Sequence, residues 1–412
     1  MLVALGLGLL VYFGSCVLVP ASPAMGGGFE VDWQMMSQDP FALVGRFPHR
    51  VLAPLLAWLS GYRGEGWHDF TQGLQILMLA SVGLAVRHLG GSLRDAVWVT
   101  IAVGITAATQ MYKLHWNGYT DPICYTLFLW MMIVAKNPYV FWSLFLVNLS
   151  NHELAGFLLP WLWYLRRRED GRWLLDLILI GVTCSAYLGF YLYVKSQAAQ
   201  LFSSDYFLSH PLFPGGTFAV CNLAGVHWTT TFGPMLALLA WHQHAKLQIR
   251  ERWHLWLVML GILTIFCIAF DWARHSNLLM LPLVIAGTRF LQAGGTHRKI
   301  FVGLIALTLL AFWLVPPWQS TAWPTNDLAN PVLLVRTGML VIGTGEFDIG
   351  FGSLGDAVGR WLPSIWPILL TVHAIGAMIW GVGYLIARFV KSVSTPVSNR
   401  SASISTARSA SC

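Results

Sequence analysis

Apolar runs separated by short polar clusters recur along the whole chain. They cover residues 2–20, 71–89, 95–111, 119–135, 173–195, 229–245, 254–271, 276–291, 300–316 and 363–387. A helix needs roughly 20 apolar residues to cross a bilayer, so each run predicts a membrane helix with soft ends. Segment 139–165 is apolar too, but Asn148, Ser150, Asn151, His152 and Glu153 interrupt its middle. One straight helix would carry that cluster to the bilayer centre, which is expensive. Two shorter helices, 139–150 and 154–165, place it at a turn, where polar backbone is tolerated if protein or water lines the cavity. The pattern predicts an all-α polytopic membrane protein with about 12 transmembrane helices.

Composition agrees with the pattern. Only 10% of the 412 residues are charged, 56% are hydrophobic and the mean hydropathy is +0.61. Ordinary soluble domains carry roughly 25% charged residues, so a soluble enzyme of this size is excluded. Collagen-like, coiled-coil and disordered classes are excluded by the apolar excess and the lack of a short period. The first run has no basic residue before Arg46, so it reads as an uncleaved transmembrane helix rather than a signal peptide. The six cysteines show no CxxC or Cys/His metal spacing, which argues against a disulfide framework and a zinc ribbon.

Charge then orients the chain. With the N-terminus in the cytoplasm, most of the 25 Lys and Arg residues fall at inner helix ends, Arg87, Arg166, Arg167, Arg168, Arg250, Arg289 and Arg298 among them. Most of the 18 acids fall outside. This follows the positive-inside rule, supports an even helix count and puts both termini in the cytoplasm. The transmembrane domain is expected over 1–390. The Ser-rich tail, 391–412, is expected to be disordered. In the first outer loop, the apolar stretch from Arg50 to Leu59 is too short to span and predicts an interfacial or re-entrant helix. Segment 331–343, with Arg336 in its middle, is similar.

Acids near membrane depth are functional when they face a cavity. Glu30 and Asp32 follow the first helix; if that piece is extended, both side chains point the same way. A carboxylate there can act as a general base or hold a divalent metal, and His49 and Arg50 follow, with Arg suited to a phosphate. A solvated loop would explain the same residues. Asp121, before Pro122, is explained equally by helix capping or by a place in the outer cavity. Glu153 is either part of a structural turn or a cavity-lining acid. His152–Glu153 is not a zinc-protease motif, because Gly156 stands where the second His belongs. Asp271 and Arg274, at i and i+3, fit a helix-end ion pair or a lipid-phosphate contact. The acidic, Gly-rich stretch around Glu346 and Asp348 reads as a surface loop. No two outer histidines have i, i+4 or HxH spacing, so no histidine-built metal site is indicated and no cofactor is specified.

The layout resembles the GT-C superfamily of polytopic glycosyltransferases, including bacterial mannosyltransferase-like and uncharacterised GT-C-like membrane proteins. The resemblance rests on the Glu30/Asp32 loop, Pro48-His49-Arg50 before a short apolar helix, Thr120-Asp121-Pro122, Asn151-His152-Glu153 and the Asp271-x-x-Arg274 turn. It implies a catalytic carboxylate in the first outer loop, Asp32 with Glu30 as competitor. It also implies a polyprenyl-phosphate sugar donor contacted by Arg50 or Arg274. A bacterial inner membrane would be the location; membrane lipid would be a partner and nucleic acid would not. The oligomeric state is left open. Two other readings stand beside it. A transporter or flippase for a lipid-linked or anionic solute would show broken helices and repeats. A non-catalytic scaffold would tolerate substitution at Asp32, Glu153 and Asp271.

Overall fold

The computed structural model describes residues 1–19, 30–45, 47–113, 117–169, 172–198, 228–229, 231–266, 275–314 and 354–390, without the side chains of 30, 266, 314 and 354–369. The described residues contain helices and turns and no strands. In chain order the helices are α1 (Leu2–Leu18), α2 (Glu30–Gln38), α3 (Leu52–Ser60), α4 (Trp67–His88), α5 (Leu93–Ile105), α6 (Ala107–Gln110), α7 (Asp121–Ile133) and α8 (Pro138–Leu149). There follow α9 (Leu154–Phe157), α10 (Leu159–Glu169), α11 (Trp173–Gln197), α12 (Leu236–His244), α13 (Ile249–Phe266), α14 (Met280–Gln292), α15 (Gly295–Leu314) and α16 (Leu354–Phe389).

Among the described residues, four helical stretches are long and apolar enough to cross a membrane: Gly64–His88, Trp173–Gln197, Gly295–Trp313 and Leu370–Phe389. Leu2–Leu18, Asp121–Ile133, Pro138–Leu149 and Asn277–Gln292 are apolar but shorter. The outward faces are apolar too. On α11, Leu174, Leu177, Ile178, Val182, Leu188 and Leu192 are exposed, and on α16 so are Leu370, Ile375, Met378, Val382 and Leu385. A soluble protein does not display apolar area on this scale, whereas a membrane protein presents it to lipid. The chain is a helical membrane protein.

Local chemistry sets the helix ends. Ser92 and Asp95 form a capping box at the start of α5. Asn137 caps α8, its Oδ1 accepting from Tyr139 N at 3.1 Å and Val140 N at 3.2 Å. Gly61 closes α3 at φ 83°, a left-handed conformation that glycine adopts without strain. The span expected over 95–111 is interrupted, because Thr106 is extended between α5 and α6. Polar side chains satisfy the freed carbonyls: Thr106 Oγ1 donates to Val103 O at 2.8 Å, Thr109 Oγ1 to the same oxygen at 3.2 Å, and Gln110 Nε2 to Gly104 O.

The core is one contiguous cluster that includes Met78, Leu79, Val103, Met111, Phe128, Phe141, Trp161, Leu238 and Leu281. α1 lies on α4 and α5, α4 on α7, and α12 between α14 and α16. Small residues permit the closest approaches, as is common between membrane helices. A Cβ on Gly8 would stand 2.6 Å from Ile76 O and 3.0 Å from Ala80 N. Backbone cannot yield as a side chain does, so Gly8→Ala is expected to force α1 off α4 and destabilise the protein by about 1–3 kcal/mol. Gly6→Ala, where nothing lies within 4 Å, is the matched control. Equal unfolding temperatures for the two variants in detergent would refute the close packing.

Segment 138–169 folds as a helical hairpin, α8 running to the tip and α9 and α10 returning. Arg166 Nη1 donates to Ala135 O, which closes the open end, and residues 150–153 form the tip. The expected pair of short helices is therefore present, with the polar cluster at the turn. At the open end of the hairpin the basic residues gather. Arg168 Nη2 lies 2.8 Å from Glu251, Arg289 Nη2 lies 3.5 Å from the same carboxylate, and Arg298 lies 3.5 Å from Asp95. These ion pairs join α10, α13, α14, α15 and α5 at one end of the bundle, leaving the 150–153 turn at the other.

Candidate functional site

The hairpin tip is the hub of a polar cluster. α3, the short helix expected in the first outer loop, docks onto it through Leu52 N, which donates to Ser150 O at 3.2 Å. That contact delivers Pro48-His49-Arg50 to Glu153. Arg50 Nε donates to Glu153 Oε2 at 2.8 Å and Arg50 Nη2 to Oε1 at 3.1 Å, a bidentate fork. His49 Nε2 donates to Oε1 at 2.7 Å. His49 and Arg50 are buried, with side chains 4% and 6% exposed, while Glu153 keeps 34% of its side chain open. The guanidinium also rests 4.1 Å from the Phe47 ring centroid.

Glu153 and His152 sit in the turn, outside the spanning helices. Burial works against the charge on Glu153, but Arg50 and His49 outweigh it and hold the carboxyl well below the usual carboxylate range. Burial and the Arg50 charge push His152 down to about 4, so it is neutral at pH 7. Leu154 N donates to His152 Nδ1 at 3.2 Å. Around this hub several buried polar atoms have no hydrogen-bond partner among the described residues: His49 Nδ1, Thr120 Oγ1, Asn148 Oδ1, Asn151 Oδ1 and Tyr187 OH. Buried polar groups are nearly always satisfied, so these atoms have capacity for water or a polar ligand.

The sequence candidates divide as follows. His49, Arg50 and Glu153 are in direct contact. Asp121 is buried at the start of α7. Its neighbour Thr120 is tied to the hairpin tip by Asn151 Nδ2, which donates to Thr120 O at 3.2 Å. Asp32 is buried on α2, against the backbone of Gly45. Trp33 beside it stacks on Phe47 at 6.2 Å and meets Tyr119 edge-on at 5.1 Å, so α2 packs against the segment that carries Arg50. The extended geometry considered for Glu30 and Asp32 does not occur. Both belong to α2, so this stretch is helical. Asp271 and Arg274 lie outside the described residues, as do 114–116, Arg46, 331–343, Glu346, Asp348 and the tail. His275, the next described residue after Arg274, has its ring 6.4 Å from that of His152.

Two site residues gave no distinct signal in sequence. Tyr191 meets the His49 ring edge-on at 5.2 Å, and Tyr187 lies one turn before it on α11. Their i, i+4 spacing on an otherwise apolar helix was the only trace. Among the described residues no group of three or more His, Cys, Asp or Glu is arranged to hold a metal ion.

The fold and site together define a helical membrane protein with a charged, partly open His–Arg–Glu cluster at one end of its bundle. No family model, curated protein or solved structure matches the chain.

Proposed function

We propose that the chain is a multi-pass membrane glycosyltransferase of GT-C-like architecture, with about 12 spans. It moves a sugar from a polyprenyl-phosphate donor to an acceptor hydroxyl on the outer face. The observation that carries the reading is the convergence of Arg50, His49 and Glu153, from segments about a hundred residues apart, on one partly open site; Asn151 ties the tip to Thr120, next to Asp121, and α2, which carries Asp32, packs on Phe47. The acceptor oxygen attacks the anomeric carbon, the bond from that carbon to the phosphate oxygen breaks, and the electron pair leaves on the lipid phosphate. Arg50 has five N–H donors and gives two to Glu153, so the others can hold the phosphate as its charge grows. Arg274 is the second candidate for that contact. Glu153, held ionised by its partners, is a poor base and serves to fix Arg50 and His49. Asp32 is the base that takes the acceptor proton, with Glu30 its competitor.

Asp32→Asn is expected to lower sugar transfer from a labelled polyprenyl-phosphate sugar by about a hundredfold or more, with folding and insertion intact. Full transfer by this variant in proteoliposomes would remove Asp32 from the mechanism.

A second reading, transport of a lipid-linked or anionic solute, is favoured by one observation. The helix expected over 95–111 is broken at Thr106, and the segment after the break packs on the turn Asn277–Leu279 that leads into α14, Asn277 Nδ2 lying 3.2 Å from Met111 Sδ and 3.4 Å from Tyr112 OH. Broken helices are common in transporters. Counterflow of labelled solute in proteoliposomes would select this reading over the transferase.

A further inference from the structure

A cleft of about 630 Å³ opens between α10 and α13, at the opposite end of the bundle from the His–Arg–Glu cluster. Its walls carry Trp163, Tyr164, Arg167, Arg168, Arg250 and Trp253. Arg168 is committed to Glu251 at 2.8 Å and to His254. Arg167 and Arg250 are exposed, and among the described residues neither has a carboxylate within ion-pair distance. The Arg167 guanidinium lies 5.8 Å from the Trp163 ring centroid; Tyr164 OH donates to the Arg250 backbone oxygen, and Arg250 Nε donates to Gln248 Oε1, leaving its two Nη groups for a ligand. Below the rim the surface turns apolar. Trp253, Trp256 and Leu260 are exposed at i, i+3 and i+7 on α13, a single stripe that leads from the cleft along the bundle.

We propose that this cleft binds an anionic phospholipid of the leaflet at the basic end of the bundle. The phosphate sits between Arg167 and Arg250, and an acyl chain follows the Trp253–Trp256–Leu260 stripe. Charge complementarity selects the headgroup, since basic pockets between membrane helices recognise anionic lipids. The continuous apolar stripe selects a lipid over a soluble phosphate, which would have no use for it. Exposed tryptophans at this level match the interfacial position of the headgroup. The site is independent of sugar transfer and holds for a transporter equally well.

The test uses the full chain, purified in detergent, with phosphatidylglycerol, phosphatidylcholine and free glycerol phosphate as separate probes. Native mass spectrometry is expected to show phosphatidylglycerol retained about tenfold better than phosphatidylcholine, with glycerol phosphate failing to displace it. The paired variant Arg167→Gln with Arg250→Gln is expected to lose that preference, and the paired Lys variant to keep most of it. Both positions are exposed, so folding is not at stake, and the wild-type comparison of the two lipids needs no variant at all. Equal retention of both lipids would overturn the proposal. So would displacement by glycerol phosphate, which would make this a soluble-anion site. Undiminished preference in the Gln pair would overturn it as well.

Discussion

Glu153→Gln is expected to destabilise the fold by about 2–3 kcal/mol and, under the proposed transferase function, to reduce sugar transfer by about a hundredfold. The carboxylate is shared by Arg50, through two hydrogen bonds, and by His49. Glutamine offers one oxygen and no charge, so the buried guanidinium loses its fork and its neutralising partner. Breaking a fully buried pair costs roughly 3–5 kcal/mol; the expected figure is lower because a third of Glu153 is open to screening. The loss also has a pH signature. The folded carboxyl is held below its ordinary value, so its stabilisation is present above the unfolded glutamate's pKa of roughly 4.3 and is lost as pH falls through the lower, folded value. The Gln variant should lack this acid dependence. Unfolding midpoints in detergent from about pH 5 down to about pH 2, read beside transfer rates at neutral pH, separate the two effects. A variant with unchanged midpoint and unchanged transfer would leave the cluster without structural or functional weight.

The largest effect on stability alone is expected at the other end of the hairpin. Arg166 Nε lies 3.1 Å from Asp176 Oδ1, and both side chains are 0% exposed. Trp142 Nε1 donates to the same oxygen at 2.9 Å, and Arg166 reaches back to Ala135 O. Arg166→Met alone strands the buried Asp176 carboxylate, and Asp176→Leu alone takes a carboxylate from the buried Arg166; either should cost about 3–5 kcal/mol, enough to deplete folded protein in the membrane. The double replacement removes both charges together and should recover most of that loss, because a buried pair is worth little beyond its apolar substitute. A double variant no better than the worse single would show that hydrogen bonds to Trp142 and Ala135, rather than charge compensation, hold this corner. In the positive-inside count Arg166 is simply one inner charge among many. The fold makes it the latch that closes the hairpin.

Much of the architecture was legible because membrane helices announce themselves through long apolar runs. Every run named in the sequence contains helix in the described residues, and the polar interruption at 148–153 falls at a turn. The interruptions of other helices were not legible. Thr106 is an ordinary residue for a membrane helix, and its extended backbone exists only because Thr109 and Gln110 can reach the carbonyls it frees. The Glu30/Asp32 geometry was open for a similar reason: spacing alone cannot tell a helix from an extended loop over nine residues.

The candidate site was legible as residue types and not as a set. Sequence pointed to His49, Arg50, Asp121 and Glu153 because charge is scarce and its position at loop turns is conspicuous. It could not pair them. Arg50 and Glu153 are 103 residues apart, and which cation meets which acid depends on α3 docking against the hairpin tip through one backbone hydrogen bond. Tyr187 and Tyr191 join the site only because α11 packs along α8. By itself the sequence determined the solvent the chain lives in, since hydrophobic transfer is close to additive along each run. Tertiary structure decided the chemistry of the few charges. The strength of each depends on its neighbours' distance and burial, and those are properties of packing between distant segments.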